Sequence, residues 1–179
     1  MPRQTEVAVI EMGANHIGEI AELCNIAEPT HGLITNVGSA HIEGFGSLEG
    51  VRQGKSELYR YLQAHKGVAF INLEEEHLLE LAGDMPHKIK YKLAENPSLK
   101  FPYYELKLEN VSPRIRASFL DKEKGILKTI NSALSGEYNL QNINTAIAVG
   151  KYFKVPSEQI VEAIGGYVAS NNRSQWLEK

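Results

Sequence analysis

The sequence has a single cysteine, no excess of basic residues and no long apolar run, and each shortage excludes a class of protein. The one cysteine, Cys24, cannot form an internal disulfide, and its place in an amphipathic helical pattern predicts a buried thiol. A formal net charge of -3 leaves no basic stripe for nucleic-acid binding. No apolar run could span a membrane, and residues 1–6 lack the apolar core of a signal peptide. We therefore expect a cytoplasmic protein that neither binds nucleic acid nor inserts into a membrane.

The first hundred residues alternate between strand patterns and helical patterns. Short apolar runs predict buried strands at 7–10, 32–37, 67–71 and 87–91. Helices are predicted from about Ile17 to Ala27 and from about Ser47 to Leu62, and Asn72 with Glu75 forms a capping box for a third. A glycine-rich loop is expected at 38–46. This alternation predicts an α/β fold, a mostly parallel sheet flanked by helices.

The pattern changes near Pro102. Three segments then alternate polar and apolar residues, at 104–108, 114–119 and 125–130, which predicts an antiparallel β meander with one wet face. Two helices are predicted to follow, from about Asn139 to Phe153 and from about Ser157 to Ile164, with Gly165 ending the second. We expect one domain over 1–179, made of a parallel α/β part (1–100), the meander (101–135) and the C-terminal helices (136–179).

Lys55 lies in a stretch, Gly50-Val-Arg-Gln-Gly-Lys-Ser56, that is one residue too short for a phosphate-binding P-loop. Ser47 is a good N-cap, so a helix is expected to be under way before Gly50. Lys55 then falls on the apolar stripe of that helix, together with Leu48, Val51, Leu58 and Leu62. Two interpretations stay open: the side chain extends to solvent, or burial lowers its pKa and provides a neutral amine for chemistry.

Polar residues follow the first two predicted strands. Glu11 ends the first, and Asn36 ends the second, five residues before His41. Ligands of parallel α/β sheets bind beyond the carboxyl ends of the strands, so Glu11, His41 and Lys55 could form a metal or phosphate site. In the alternative interpretation, Glu11 caps a helix and His41 is an exposed loop residue.

Several stretches, taken together, resemble the central domain of the Mur ligases, the ATP-dependent amide-bond-forming enzymes of bacterial peptidoglycan synthesis. They are 11–20 (EMGANHIGEI), 34–47 (ITNVGSAHIEGFGS), 54–58 (GKSEL), 136–142 (GEYNLQN) and 171–174 (NNRS). These sequences are most similar to those of the MurF branch, which adds D-alanyl-D-alanine to UDP-N-acetylmuramoyl-tripeptide. The resemblance implies a P-loop NTPase-like fold, ATP and Mg²⁺ as cofactors, and these two substrates as partners.

The resemblance also implies roles for individual residues. Glu11 and His41 match magnesium ligands, and Lys55 matches a lysine that is carbamylated in several Mur ligases, where the carbamate supports the metal. These three would be catalytic, in a reaction where the substrate carboxylate attacks ATP to give an acyl phosphate and the amine then displaces phosphate. The nucleotide would contact Asn139, Asn142 and Arg173, and the muramoyl peptide would contact Asn15 and His16.

The sequence also departs from the family. Tyr138 stands where the family usually has histidine, and the family's P-loop and its N- and C-terminal domains have no counterpart here. We therefore expect a ligase fragment, inactive alone, whose exposed strand edges and apolar surface favour self-association. The alternatives are a folate-type or cyanophycin-type ligase of the same superfamily, a non-catalytic nucleotide-binding module, and a compact P-loop NTPase that uses Lys55.

Overall fold

The computed structural model describes residues 4–38 and 42–168. Within them, the helices are α1 (Glu19–Ala27), α2 (Ile42–Phe45), α3 (Leu48–Ala64), α4 (Glu76–Ala82), α5 (Glu137–Tyr152) and α6 (Ser157–Gly166). The strands are β1 (His31–Leu33), β2 (Val68–Asn72), β3 (Lys88–Leu93), β4 (Tyr104–Asn110), β5 (Arg116–Asp121) and β6 (Ile126–Asn131). They form one mixed sheet in chain order. The pairs β1–β2 and β3–β4 are parallel, whereas β4–β5 and β5–β6 are antiparallel, which confirms the predicted α/β class and its meander.

One compact unit comprises the chain up to residue 71 together with 75–88, and α3 is its central helix. Val51 and Leu62 on α3 are fully buried, and the Tyr59 hydroxyl donates a hydrogen bond to the Phe70 carbonyl of β2 at 3.2 Å. Cys24 of α1 is also fully buried, as predicted. Burial raises the pKa of its thiol, and the Glu57 carboxylate acts in the same direction, so Cys24 is a core residue and not a reactive one.

The N-terminus of α3 is built as the sequence predicts. The Ser47 hydroxyl accepts a hydrogen bond from the Gly50 N–H at 3.0 Å, which satisfies one of the donors left open in the first turn. Gly50 and Gly54 lower helix propensity, but Phe45 of α2 uses the space they leave. A Cβ on Gly54 would lie 2.4 Å from the Phe45 ring, and one on Gly50 would lie 2.2 Å from the Phe45 carbonyl oxygen.

The second unit comprises residues 72–74 and the chain from residue 89 onward. Its apolar core lies between the meander and the last two helices, with Leu106, Phe119 and Ile130 from the strands and Ile147 and Ile160 from the helices. The predicted wet face of the meander is wrong for β5. Three successive β5 residues, 117–119, are all buried. Ala117 and Phe119 belong to the apolar core, whereas Ser118 points to the other face and hydrogen-bonds Glu109 and, at 3.1 Å, Thr129.

Three sequence predictions in the first unit are wrong in detail. Residues 7–10 form no strand, and Val9 is 92% exposed. An apolar run becomes a buried strand only beside a partner strand, and no described strand pairs with these residues. The second predicted strand, 32–37, is reduced to β1. Part of the predicted glycine-rich loop is the short helix α2.

Two helix boundaries also differ from the prediction. Asn72 does not cap α4, because its side-chain oxygen accepts from the Glu74 N–H at 3.1 Å in a local turn, and the helix begins only at Glu76. Gly165 does not end α6, which continues through Gly166. No helix in the described ranges has the length and apolar character needed to cross a membrane.

Candidate functional site

Lys55 is half-buried on α3, and its amine points at the protein and not at solvent. Its Nζ donates a hydrogen bond to the Asn36 carbonyl oxygen at 2.7 Å. Burial lowers the pKa of the Lys55 amine, while the charge of Glu75 acts in the opposite direction. Of the two interpretations left open by the sequence, the structure therefore favours a desolvated amine, which loses its proton more readily than a lysine in water.

The structure excludes the P-loop alternative for this stretch. A P-loop cradles phosphate with backbone N–H groups that lie before or at the start of a helix. Here α3 begins at Leu48, so residues 50–56 are already helical and their N–H groups are directed along the helix. The two glycines are explained by the packing of Phe45, and the compact NTPase that would use Lys55 as a phosphate lysine is ruled out.

The Lys55 hydrogen bond joins α3 to the segment that follows β1. The Asn36 side-chain oxygen accepts from the Gly38 N–H at 3.3 Å, which turns the chain just beyond the carbonyl that Lys55 contacts. His41 follows this turn but lies outside the described residues. Lys55 is thus anchored to Asn36, five residues before the predicted histidine ligand in the sequence.

Glu11 lies in an exposed segment without regular secondary structure. The alternative that Glu11 caps a helix is wrong, because α1 begins eight residues later with Gly18 at its N-cap. In the described part of the chain, no hydrogen bond or ion pair joins Glu11 to Lys55. Glu11 is exposed, so solvent and ligands can reach this residue.

Asn15 and His16 are held by Glu19, the first residue of α1. Both backbone N–H groups donate to Glu19 Oε2, at 2.6 Å from Asn15 and 3.2 Å from His16, and His16 Nδ1 lies 3.0 Å from Glu19 Oε1. The hydrogen bond from the Asn15 backbone, followed by those from His16, lowers the pKa of the Glu19 carboxyl. The two predicted substrate residues thus sit on an ordered turn, and both are exposed.

The turn that carries Asn15 also touches α2, which begins directly after His41. A Cβ on Gly44 would lie 2.4 Å from the Asn15 carbonyl oxygen, so only glycine allows this approach. The structure therefore brings Asn15 next to Gly44 of α2 and Lys55 next to Asn36, and His41 lies between Asn36 and Gly44 in the sequence.

Sequence reasoning missed Glu57. Its carboxylate is buried, with 6% of the residue exposed, and it accepts hydrogen bonds from the N–H groups of Gly18 at 2.7 Å and Ala21 at 3.0 Å. The only sequence signal was a charged residue two positions after Lys55 on a mostly buried helix. That signal does not identify partners that lie 39 and 36 residues away in the chain.

The predicted nucleotide residues of the second unit lie on α5. Asn139 is buried and its Nδ2 donates to the Ser135 carbonyl oxygen at 2.9 Å, so this side chain holds the start of the helix. Asn142 is partly exposed in the next turn, while Tyr138 is 66% exposed. Arg173 lies outside the described residues.

Comparison with known proteins gives one consistent family. Residues 1–150 match the family model described as the Mur ligase middle domain. The UDP-N-acetylmuramoyl-tripeptide–D-alanyl-D-alanine ligase of Bacillus subtilis is 30% identical over 99% of this chain, which covers 36% of that relative. The Haemophilus influenzae ligase of the same name is 54% identical over 71 residues, 40% of this chain and 15% of its own length.

Solved structures agree with the sequence relatives. MurF from Acinetobacter baumannii has a TM-score of 0.78 and 26% identity, over 96% of this chain and 36% of that one. MurF from Thermotoga maritima in complex with ADP, at 22% identity and a TM-score of 0.71, covers 94% of this chain and 37% of that one and shows the same fold. This chain therefore spans 36% of the length of the first relative in each comparison. The chain belongs to the Mur ligase family, whose middle domain its first 150 residues match.

Proposed function

We propose that the protein containing this chain is an ATP-dependent ligase that joins D-alanyl-D-alanine to UDP-N-acetylmuramoyl-tripeptide in the bacterial cytoplasm, during peptidoglycan synthesis. The B. subtilis relative carries the name of that ligase, and its similarity extends over 99% of this chain. Because the chain spans 36% of that relative, the activity belongs to the longer protein. We expect the 179-residue chain alone to be inactive.

The observation that carries the proposal is the placement of Lys55. A carbamate forms when a neutral amine attacks CO₂ and loses a proton, and burial lowers the pKa of this amine toward that neutral state. The carbamate nitrogen keeps one hydrogen, so it can still donate to the Asn36 carbonyl that Lys55 Nζ now contacts. Carbamylation would thus replace a cation with a single negative charge shared by two oxygens, without giving up the anchor.

The proposed magnesium ligands are Glu11, His41 and the Lys55 carbamate. Oxygen donors are those that Mg²⁺ prefers, and the exposed Glu11 carboxylate and a carbamate both supply them. Within 4–38 and 42–168, no three His, Cys, Asp or Glu side chains are grouped to hold a metal, so the set depends on the carbamate and on His41. When bound, the metal would offset the charge between the substrate carboxylate and the triphosphate.

The remaining roles concern the substrates. We assign Asn139, Asn142 and Arg173 to the nucleotide and the exposed turn with Asn15 and His16 to the muramoyl peptide. ADP in the T. maritima structure supports a nucleotide site in this fold. The peptide carboxylate attacks the γ-phosphate of ATP and releases ADP, and the amine of D-alanyl-D-alanine then displaces phosphate from the acyl phosphate.

The test uses the full-length protein and measures phosphate release. We expect release that requires both UDP-N-acetylmuramoyl-tripeptide and D-alanyl-D-alanine, and a loss of kcat of about 100-fold or more in Lys55→Ala, the scale for removing charge stabilisation from a reacting site. Lys100→Ala, a change at an exposed lysine, serves as the control. Release driven by a folate or by aspartate and arginine would instead support another ligase of the superfamily, and full activity in Lys55→Ala would overturn the role of this amine.

A further inference from the structure

Glu57 supplies a cap that α1 lacks in its own sequence. The N-cap residue of α1 is Gly18, which has no side chain to accept the open N–H groups of the first turn. Glu57 Oε1 accepts from Gly18 N–H at 2.7 Å and Oε2 accepts from Ala21 N–H at 3.0 Å. Both carboxylate oxygens are therefore used, and the negative charge lies at the positive end of the helix.

The cap comes from α3, the helix that carries Lys55. Residues two apart on a helix point to different sides, so Lys55 and Glu57 contact different segments. The Lys55 amine donates a hydrogen bond to the Asn36 carbonyl, five residues before His41 in the sequence. The Glu57 carboxylate instead accepts a hydrogen bond from the start of α1. The turn immediately before Gly18 presents Asn15 and His16, and it is itself packed against α2.

We propose that Glu57 is a positioning residue that fixes the 15–18 turn relative to Lys55. This inference rests on the proposed function for its kinetic consequences, but its structural part stands on the two hydrogen bonds alone. Glu57 touches neither the nucleotide nor the peptide in this account. It acts through the backbone of Gly18 and Ala21, and so on the turn with Asn15 and His16.

The chemistry of the cap defines the informative variant. Glutamine has nearly the same shape as glutamate, but only one of its two terminal atoms accepts a hydrogen bond. Glu57→Gln can therefore keep one of the two bonds and must present an N–H₂ group to the other donor. Glu49→Gln is the matched control, because Glu49 lies on the same helix with its side chain 78% exposed.

The structural arm of the test is amide hydrogen exchange by NMR. In Glu57→Gln, exchange at Gly18 or Ala21 should become about tenfold faster, as expected for a charge-assisted bond lost at a helix start, and the Asn15 and His16 amide shifts should move. Glu49→Gln should leave all four amides unchanged. Unchanged exchange and shifts in Glu57→Gln would overturn the proposal, and this arm requires no activity.

The kinetic arm uses the full-length protein. We expect kcat/KM for the muramoyl substrate to fall roughly 10–100-fold in Glu57→Gln, the range for losing a supporting hydrogen bond behind a site, with the KM for ATP unchanged. Two outcomes would make Glu57 a merely structural residue and overturn its positioning role. Either kcat/KM falls equally for ATP and for the muramoyl substrate, or neither value falls although the amide signals change. An inactive wild type would refute the proposed function instead, and the amide arm would still decide whether Glu57 holds the turn.

Discussion

Gly54 shows how a single missing side chain shapes the site. It lies next to Lys55 on α3, and a Cβ on Gly54 would stand 2.4 Å from the Phe45 ring of α2. Alanine normally stabilises a helix interior by about 1 kcal/mol relative to glycine, whereas overpacking costs about 1–3 kcal/mol. The clash is with a buried ring that has little room to move, so the packing cost should prevail.

We therefore expect Gly54→Ala to lower the free energy of unfolding by up to about 2 kcal/mol, the overpacking cost less the propensity gain. Urea denaturation followed by circular dichroism measures the change. Gly166→Ala is the control, because a Cβ at this helical glycine has no neighbour within 4 Å. If both variants were equally stable or more stable than wild type, the close contact with Phe45 would be wrong.

The lowered pKa of Lys55 predicts a pH-dependent stability difference between wild type and Lys55→Met. Below the lowered pKa the folded protein carries a half-buried ammonium. Between that pKa and the usual 10.5 the folded protein can release the proton while the unfolded chain keeps it. Wild type should therefore gain stability relative to Lys55→Met as pH rises toward 10.5. A difference that does not change with pH, measured by urea unfolding without bicarbonate, would show that the amine is not desolvated.

At the scale of elements, one carboxylate links the start of α6 to the meander. Glu158 lies in its first turn, 2.8 Å from Lys124 Nζ and 2.9 Å from Lys128 Nζ. These two hydrogen bonds lower the pKa of Glu158 to about 2 from 4.5. The interaction joins α6 to the meander at a solvent-exposed position, so salt should screen it.

We expect Glu158→Gln to lower the melting temperature at neutral pH, and the difference from wild type to disappear as pH falls through about 2. The sign follows because a carboxyl whose pKa is lowered by folding stabilises the folded state fully above pH 4.5. That stabilisation is lost when the carboxyl of the folded protein is protonated. Glu162→Gln on the same helix is the control. Thermal unfolding at several pH values in low and high salt measures the effect, and a difference that persists in acid would refute it.

The accuracy of prediction from sequence differs between elements for a physical reason. Signals that act within a few residues, such as the Ser47 cap and the apolar stripe of α3, located that helix correctly. Residues 7–10 have the same apolar character as β2 but form no strand, because strand formation depends on a partner that the local sequence does not specify. The same difference applies to the candidate site. The local apolar stripe of α3 indicated Lys55 as a candidate, whereas no local pattern indicated that Glu57 caps α1.

At the scale of the whole molecule, some large apolar side chains are exposed, and the described sheet ends in a terminal strand. Val9 is 92% exposed and Ile26 is 81% exposed, and β1 is the terminal strand of the described sheet. Exposed apolar residues and a terminal strand each favour association between chains. We therefore predict that the isolated chain self-associates.

The sedimentation behaviour of the isolated chain tests this prediction. We expect its apparent mass to increase with concentration, and the double variant Val9→Lys/Ile26→Lys to shift it toward the monomer because charge opposes burial of these positions. Val168→Lys, at an exposed position in the other unit, should have no such effect. A wild-type chain that remains monomeric at the highest attainable concentration would contradict the prediction.

A carbamate on Lys55 is central to the proposed function. It is tested most directly by ¹³C NMR of the full-length protein with Mg²⁺ and ¹³C-bicarbonate. The measurement is made at about pH 8, where an ordinary lysine is almost fully protonated. We predict a carbamate resonance that is present in wild type and Lys100→Ala, absent in Lys55→Ala, and stronger as pH rises because more of the amine is neutral. A spectrum without this resonance in wild type, or one that Lys55→Ala leaves unchanged, would contradict the account.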